Sequence, residues 1–466
     1  MSATAGPATV ESIDPANGEL VETYEVFAEG QIDAALDLSH AAFRTFSRTP
    51  WSERAELMRG VAREMRAMSE EFAKTVSREM GKPLKEAEAE VEKCAWSAEH
   101  YAEHGESYLA PEAIDVGAGR RVSVHKRPLG PVLAIMPWNY PLWQAMRAAT
   151  PIVSAGNTFV LKHASNVTGC ALLLEQAFER AGAAPGVFKT IIVSGRKASE
   201  LIADRRIAAV TLTGSDAAGV AVGEAAGRAI KPVVLELGGS DPFIVLHDAN
   251  LEKAVEVAVT ARFQNTGQSC IAAKRFIVVE AVADEFEQRF ADAAKALRRG
   301  APFDPETQLG PMAREDLRDE LAGIVRASEA AGARILTGGE APDEPGAWYE
   351  PTVVSATADS NASVLREETF GPVAAVVRVP DEAAAIELAN DSEFGLGSSV
   401  WTEDLERAEK LSADIEAGMV FVNAMTASDP RIPFGGVKRS GIGRELGGEF
   451  GMRAFVNMQA VALTEL

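Results

Sequence analysis

Of three cysteines in this 466-residue chain, Cys270 differs from the other two in its setting. It closes the run Phe263-Gln264-Asn265-Thr266-Gly267-Gln268-Ser269-Cys270, where a helical pattern ends in a polar, glycine-containing loop just before an apolar strand. Reactive thiols sit in loops or at element ends, where they are reachable and a thiolate can be stabilised. The alternative is a small buried hydrophobe, the usual fate of free cysteine. Cys94 and Cys170 lie inside amphipathic helical patterns and take that second reading.

Three further segments could do chemistry. Glu236 stands in Val234-Leu235-Glu236-Leu237-Gly238-Gly239-Ser240, a carboxylate among leucines and glycines at a strand end. Burial raises a carboxyl pKa toward neutrality, as a general base requires; pairing with a nearby Arg or Lys is the alternative. Asn139 lies between two prolines in Pro137-Trp138-Asn139-Tyr140-Pro141, a rigid mount for an amide that donates to a developing oxyanion, or else a plain turn. Leu161-Lys162-His163-Ala164-Ser165 ends a strand, and Thr213-Gly214-Ser215 leads another into a helix N-terminus that can face a pyrophosphate. No G-x-G-x-x-G accompanies them, so the usual dinucleotide fingerprint is absent.

The elements that must position these residues follow from periodicity. Apolar residues from Leu57 to Val76 recur at helical spacing and predict one helix over 51–80, ended by Gly81-Lys82-Pro83; a second runs from Leu84 to about Tyr101. The basic stretch 120–127 reads as a strand in a projecting arm. After Pro128, short apolar strands near 132–136, 158–161 and 208–212 alternate with helices over 141–154, 167–181 and 215–229. A second alternation follows Glu236, with strands near 243–246, 276–279 and 373–379. Helices over 251–264, 282–298 and 314–331 separate them. Such alternation marks parallel α/β sheets covered on both faces, here two such units meeting near 236–240.

Composition bounds the function. Sixty-eight acidic against 46 basic residues give a net charge of −22, which excludes a phosphate-backbone binder. Three scattered cysteines form no disulfide framework and point to a reducing cytoplasm. The first ten residues lack the pattern of a signal peptide, and no apolar run is long enough to span a membrane. No metal is expected.

Taken in order, PWNYP (137–141), LKHAS (161–165), TGS (213–215), ELGG (236–239), NTGQSC (265–270), EETFGPV (367–373) and PFGGVKRSGIGRELG (433–447) resemble the aldehyde dehydrogenase superfamily over essentially the whole chain. The resemblance implies an α/β fold of two doubly wound domains plus a small β oligomerisation arm. The dinucleotide-binding domain would take 1–112 and 130–236, the catalytic domain 237–436, and the arm 113–129 with 450–466. A homodimer or homotetramer is expected. Cys270 resembles the nucleophile, passing through a thiohemiacetal and a thioester. Asn139 and the Cys270 N–H resemble its oxyanion donors, and Glu236 the base that activates water. Trp138, Leu237, Glu368 and Phe370 are placed near the nicotinamide and its ribose, and Gly214 and Ser215 at the pyrophosphate. Lys162, His163, Ala164 and Ser165 fall near the adenosine ribose. Relatives that use NAD strictly often carry Glu at the position of Ser165. An uncharged serine beside Lys162 and a protonated His163 would welcome a 2′-phosphate, so NADP is expected, with NAD also accepted.

The segments LKHASNV, PLWQAMR and LELGGSDPFIV look like those of microbial succinate-semialdehyde dehydrogenases, whose substrate carries a carboxylate at its far end. Arg147 matches an arginine that clamps this carboxylate. A second arginine of some relatives is replaced by Gln264, and Ser428 or Arg431 is expected to supply the missing contact. Another ω-carboxylated or aliphatic aldehyde, or a catalytically silent member of the fold, are the competing readings. A cofactor-free cysteine hydrolase needs a histidine positioned by a third group, and no motif supplies one.

Overall fold

Strands Pro131–Ile135, Ala209–Thr213 and Asp241–Val245 show no in–out alternation, and in the computed structural model each is buried along its whole length. Strands covered on both faces by helices have this pattern. The structure describes residues 8–117 and 120–464. The expected dinucleotide-binding span at 1–7, and the expected arm at 118–119 and 465–466, lie outside the described residues.

Two large, mainly parallel sheets are present, as the alternation predicts. The first has the order Gly441–Ile442, Val233–Glu236, Ala209–Thr213, Pro131–Ile135, Thr158–Lys162, Phe188–Thr190. All its neighbours pair in parallel except the edge strand Gly441–Ile442. From the central strand Pro131–Ile135 the chain goes first to one side and later to the other, so a crevice opens at the carboxyl ends of Pro131–Ile135 and Ala209–Thr213. The second sheet runs Arg334–Thr337, Thr352–Thr357, Val373–Val379, Ala273–Val279, Asp241–Val245, Gly397–Trp401, Met419–Val422. It too is parallel but for one edge, Arg334–Thr337. Four of these seven strands, at 334–337, 352–357, 397–401 and 419–422, went unpredicted, as did an N-terminal hairpin of Thr9–Ile13 and Leu20–Glu25.

The basic stretch forms strand Arg120–Pro128, lying antiparallel between Val456–Thr464 and Glu112–Ile114. Asn157 ties this ribbon to the first sheet. Its Oδ1 accepts from the backbone N–H of Leu129 (2.7 Å) and Gly130 (3.0 Å), and its Nδ2 donates to the Phe455 carbonyl (3.0 Å).

The single helix expected over 51–80 is two, Trp51–Ala67 and Ser69–Met80, because Met68 leaves helical geometry at φ −97°, ψ 12°. The break preserves the apolar face: Met65, Met68 and Phe72 are all buried, so periodicity alone runs through it. Helix Leu84–Leu109 continues well past Tyr101, with Gly105 giving the indole of Trp51 room to lie against it. Among the described residues no helix is long and apolar enough to cross a membrane.

Replacing Asn157 by Ala strands two buried N–H groups and a carbonyl at the root of the ribbon. At about 1–3 kcal/mol for a stranded buried group, Asn157→Ala should lose about 2–4 kcal/mol and melt several degrees lower by calorimetry. An unchanged melting curve would contradict the tie.

Candidate active site

Helix Leu251–Phe263 ends in a turn where Asn265 and Thr266 both adopt φ 55° and Gly267 φ 70°. A left-handed non-glycine residue costs roughly 1–2 kcal/mol, so the turn must be held from outside. Asn265 Nδ2 donates to the carbonyls of Asn139 (2.8 Å) and Gln268 (3.1 Å). Gln268 Oε1 accepts the Ala313 N–H at 2.8 Å. The buried Arg262 guanidinium donates to the carbonyls of Gly267 (2.6 Å), Ala273 (3.1 Å), Thr369 (3.3 Å) and Gly371. Behind Cys270, Lys274 Nζ holds the carbonyls of Ser269 (3.0 Å) and Cys270 (2.8 Å). The loop is thereby rigid at the residue before strand chemistry begins, and its thiol is half-buried rather than sealed in.

Cys270 lies where two cavities meet. One, of about 360 Å³, is lined by Trp138, Asn139, Gly214, Ser215, Leu237 and Phe370. The other, of about 160 Å³, is lined by Tyr140, Trp143, Arg147, Ser428 and Phe434. Cys270 and Gln144 border both. A nucleophile so placed can meet one molecule from each side.

Burial pushes the Cys270 thiol up to about 11, against the pull of Arg147 and Lys274. The resting sulfur is therefore protonated at neutral pH. Cys94 and Cys170 are fully buried and raised further, so they take no part. Asn139 Nδ2 uses one hydrogen on the Gln268 carbonyl (3.0 Å), and its Oδ1 accepts from Gln144 Nε2 at 3.5 Å, which fixes the amide's orientation. The second amide hydrogen is uncommitted, and so is the Cys270 N–H, which finds no acceptor among the described residues. Two spare donors at the mouth of the thiol are what an oxyanion site requires.

Glu236 ends strand Val233–Glu236 and immediately precedes Leu237 and Gly238, which line the larger cavity, though Glu236 itself borders neither. It is buried, and neither oxygen has a hydrogen-bond partner among the described residues. Burial holds its carboxyl well above the usual range, opposed by Arg147. Gly435 passes so close that a side chain there would press on Oε1. An unpaired buried carboxyl of this kind is a proton acceptor in waiting.

Four neighbouring strands bring the dinucleotide motifs to one edge: Asn139 follows Pro131–Ile135, Lys162 ends Thr158–Lys162, Gly214 follows Ala209–Thr213 and Leu237 follows Val233–Glu236. Ser215 caps helix Asp216–Ala229, accepting the Ala218 N–H. Trp138 and Phe370 meet edge to face at 5.6 Å, and Glu368 accepts the Gly239 N–H at 3.0 Å beside Lys274. Lys162 is half-buried with no carboxylate within ion-pair distance among the described residues, and Ser165 is exposed two residues past the buried His163. An unpaired cation beside an exposed hydroxyl and an open helix N-terminus suits a dinucleotide with a 2′-phosphate. One expectation fails. His163 brings no charge to this corner: its Nε2 lies 2.7 Å from the Pro141 carbonyl, its Nδ1 accepts the Ala164 N–H, and burial lowers it to about 4. It is a neutral pin between the LKHAS and PWNYP segments.

At the other end, Arg147 is buried and already engaged, its Nε on Glu445 (2.5 Å) and its Nη2 on Thr213 (3.1 Å). Ser428 lines the smaller cavity and accepts from Trp143 Nε1 at 3.0 Å. Arg431 does not reach it. Its guanidinium is exposed, paired on both sides with Asp429 (2.9 and 2.6 Å) and laid over Trp96. The sequence reading placed the helix from Leu84 but missed Arg262, Lys274, Glu445 and the three residues that this helix sends to the smaller cavity, Glu86, Glu90 and Lys93. The spacing 86, 90, 93 does mark one helical face, but a charged stripe is read by default as facing water.

The sequence model of the Aldehyde dehydrogenase family matches residues 2–461. Succinate semialdehyde dehydrogenase [NAD(P)+] of Escherichia coli is 50% identical over 459 residues, 98% of this chain and 99% of that one. A probable succinate-semialdehyde dehydrogenase [NADP(+)] of Synechocystis is 48% identical, covering 97% and 99%. The solved succinic semialdehyde dehydrogenase of Streptococcus pyogenes, in complex with NADP+, superposes with a TM-score of 0.95 at 34% identity over 98% of this chain and 100% of the other.

Because the thiolate is the reactive form, alkylation of Cys270 by iodoacetamide should accelerate about tenfold per pH unit from about pH 7 to 9. A rate that levels off near pH 8 (roughly that of a free cysteine) would contradict the raised thiol.

Proposed function

This chain belongs to the aldehyde dehydrogenase family, and from that premise we propose that it oxidises succinate semialdehyde to succinate with NADP, accepting NAD less readily. The observation that carries the reading is the place of Cys270, at the junction of a larger cavity lined by Trp138, Gly214, Ser215 and Phe370 and a smaller one bordered by Lys93, Arg147, Glu86 and Glu90. Relatives named for this reaction, at 48–50% identity over nearly the full chain, support the substrate and the cofactor.

In this reading the Cys270 proton passes to solvent water, and the thiolate sulfur bonds to the aldehyde carbon as the carbonyl π pair moves onto oxygen. The carbonyl oxygen becomes an oxyanion held by Asn139 Nδ2 and the Cys270 N–H. Trp138, Ser215 and Phe370 would hold NADP along the larger cavity, where it would accept the hydride that leaves the former aldehyde carbon. The thioester left on Cys270 is cleaved by water. Glu236 takes the water's proton, and its missing hydrogen-bond partners keep that carboxyl free to do so. Its high pKa and that of Cys270 both favour the idle protonated forms, so turnover should rise with pH above neutrality. Lys162 and Ser165 take the 2′-phosphate corner, and Arg147 and Ser428 border the space for the substrate's far carboxylate.

The first sheet, with 1–112 and 130–236, would hold the cofactor, and the second, within 237–436, carries the thiol. The ribbon of Glu112–Ile114, Arg120–Pro128 and Val456–Thr464, at the expected arm, presents exposed Ile114, Met458 and Leu463 on strands with an open edge. An apolar open edge of this kind is suited to pairing with a second copy, giving a dimer or tetramer. The unpaired thiols suit the cytoplasm.

Steady-state kinetics with both cofactors on succinate semialdehyde, glutarate semialdehyde and butanal tests the assignment. The highest kcat/KM is expected for the four-carbon acid with NADP, and a preference for butanal would overturn it. Glu236→Gln should still release a burst of one reduced cofactor per subunit while steady turnover falls by about 10²–10⁴-fold. A variant with neither burst nor turnover would remove Glu236 from the hydrolytic step alone.

A further inference from the structure

The charged groups bordering the smaller cavity are Glu86, Glu90, Lys93 and Arg147. Most are already matched. Arg147 pairs with Glu445, and Glu90 pairs with Lys82 while accepting the Leu142 and Trp143 N–H groups. Glu86, pushed up to about 7 by burial, accepts the Asn265 N–H. Lys93 is different. No carboxylate lies within ion-pair distance of it among the described residues, and its Nζ sits 4.5 Å from the Trp143 ring and donates to Ser428 Oγ at 2.8 Å.

That single contact leaves two ammonium hydrogens uncommitted. Ser428 Oγ accepts from both Lys93 and Trp143 Nε1, so its own hydrogen has no acceptor among the described residues. A half-buried ammonium and a buried hydroxyl, side by side, thus present spare donors in a cavity whose other end is Cys270. Donors held out of water without an acceptor are unfavourable unless an anion completes them. A carboxylate, with two oxygens and about four lone-pair sites, fits.

We infer that Lys93, oriented by Ser428 over the Trp143 ring, is the residue that recognises a carboxylate at the far end of the aldehyde, with Arg147 serving the wall of the site rather than the substrate's charge. The assignment rests on the proposed preference for an acid-tailed aldehyde and names the group responsible for it. Arg147 is a poorer candidate because Glu445 already neutralises it. Burial also lowers the Lys93 ammonium to about 8, with Arg147 acting in the same direction and Cys94, Glu90 and Asp429 against it. The cation is present near neutrality and fades as the pH rises through that value, unless a bound anion holds it.

The discriminating quantity is the ratio of kcat/KM for succinate semialdehyde over butanal. Lys93→Met should lower it by about 10–100-fold, the worth of one charge-assisted bond, mainly through KM for the acid, and Lys93→Arg should recover part of it. In the wild-type enzyme the same ratio should fall between about pH 7 and 9.5, a measurement that needs no variant to fold. A wild-type enzyme with no preference for the acid would overturn the substrate reading and this inference together. A wild-type preference that persists in Lys93→Met, or that is flat with pH, would overturn the role of Lys93 alone.

Discussion

Three consecutive left-handed residues, Asn265, Thr266 and Gly267, turn the chain out of its helix toward the cysteine, and the rest of the site depends on that turn being held. The two non-glycine members together cost roughly 2–4 kcal/mol. Arg262 offsets that strain by gathering carbonyls from the loop, from the strand after it and from the 369–371 segment into one fork of donors. The arrangement leaves no room for a side chain at Gly267, which is pressed against the Gly371 carbonyl and the guanidinium. Burial lowers the Arg262 pKa to about 9, with Glu368 opposing. The cation is thus satisfied by carbonyl dipoles more than by a carboxylate. Because the same loop carbonyls bind Asn139, Asn265 and Lys274, the thiol and its oxyanion donors move as one body.

A division of labour runs through the charges around this body. Arg147 with Glu445 and Lys82 with Glu90 are buried pairs, and buried Lys274 pairs with half-buried Glu368; all three keep the walls in place. Breaking such a pair strands a charge, so these residues are costly to change without being reactive. Among the described residues Glu236, Lys93 and Lys162 lack an ion-pair partner of opposite charge. Each of the three stands where the proposed chemistry calls for a free group: Glu236 as a base for the thioester, Lys93 as a cation for an acid tail and Lys162 as a cation for a 2′-phosphate. Unpaired ionisable groups in clefts are where function concentrates.

The two sheets divide the work in the same way. The first brings four motifs to one edge because its parallel strands all end on the same side of the crevice, with the strand-order reversal at Pro131–Ile135 opening it. The second delivers the cysteine from the loop before Ala273–Val279. The edge strand Gly441–Ile442 returns from the far end of the chain to pair with Leu235 and Glu236, so the base is fixed by residues two hundred positions away.

The alternation of strands and helices, the two main sheets, the ribbon and the candidate thiol, amide and carboxyl were all legible in the sequence, because each is a local pattern: apolar runs, proline and glycine punctuation, and ordered motifs. The sequence did not mark the break at Met68, since the apolar face runs through it, nor strands such as Arg334–Thr337 and Met419–Val422, which are short and weakly patterned. Tertiary structure decided which charges are matched. His163 became a neutral pin because Pro141 lies against it, Arg431 was drawn to Asp429, and Arg147 to Glu445, three hundred residues off. The same physics left Lys93 free: a lysine on an amphipathic helix reads as solvent-facing until the helix is seen to line a cavity. Residue type sets what a group can do; the partners that tertiary packing supplies or withholds set whether it does.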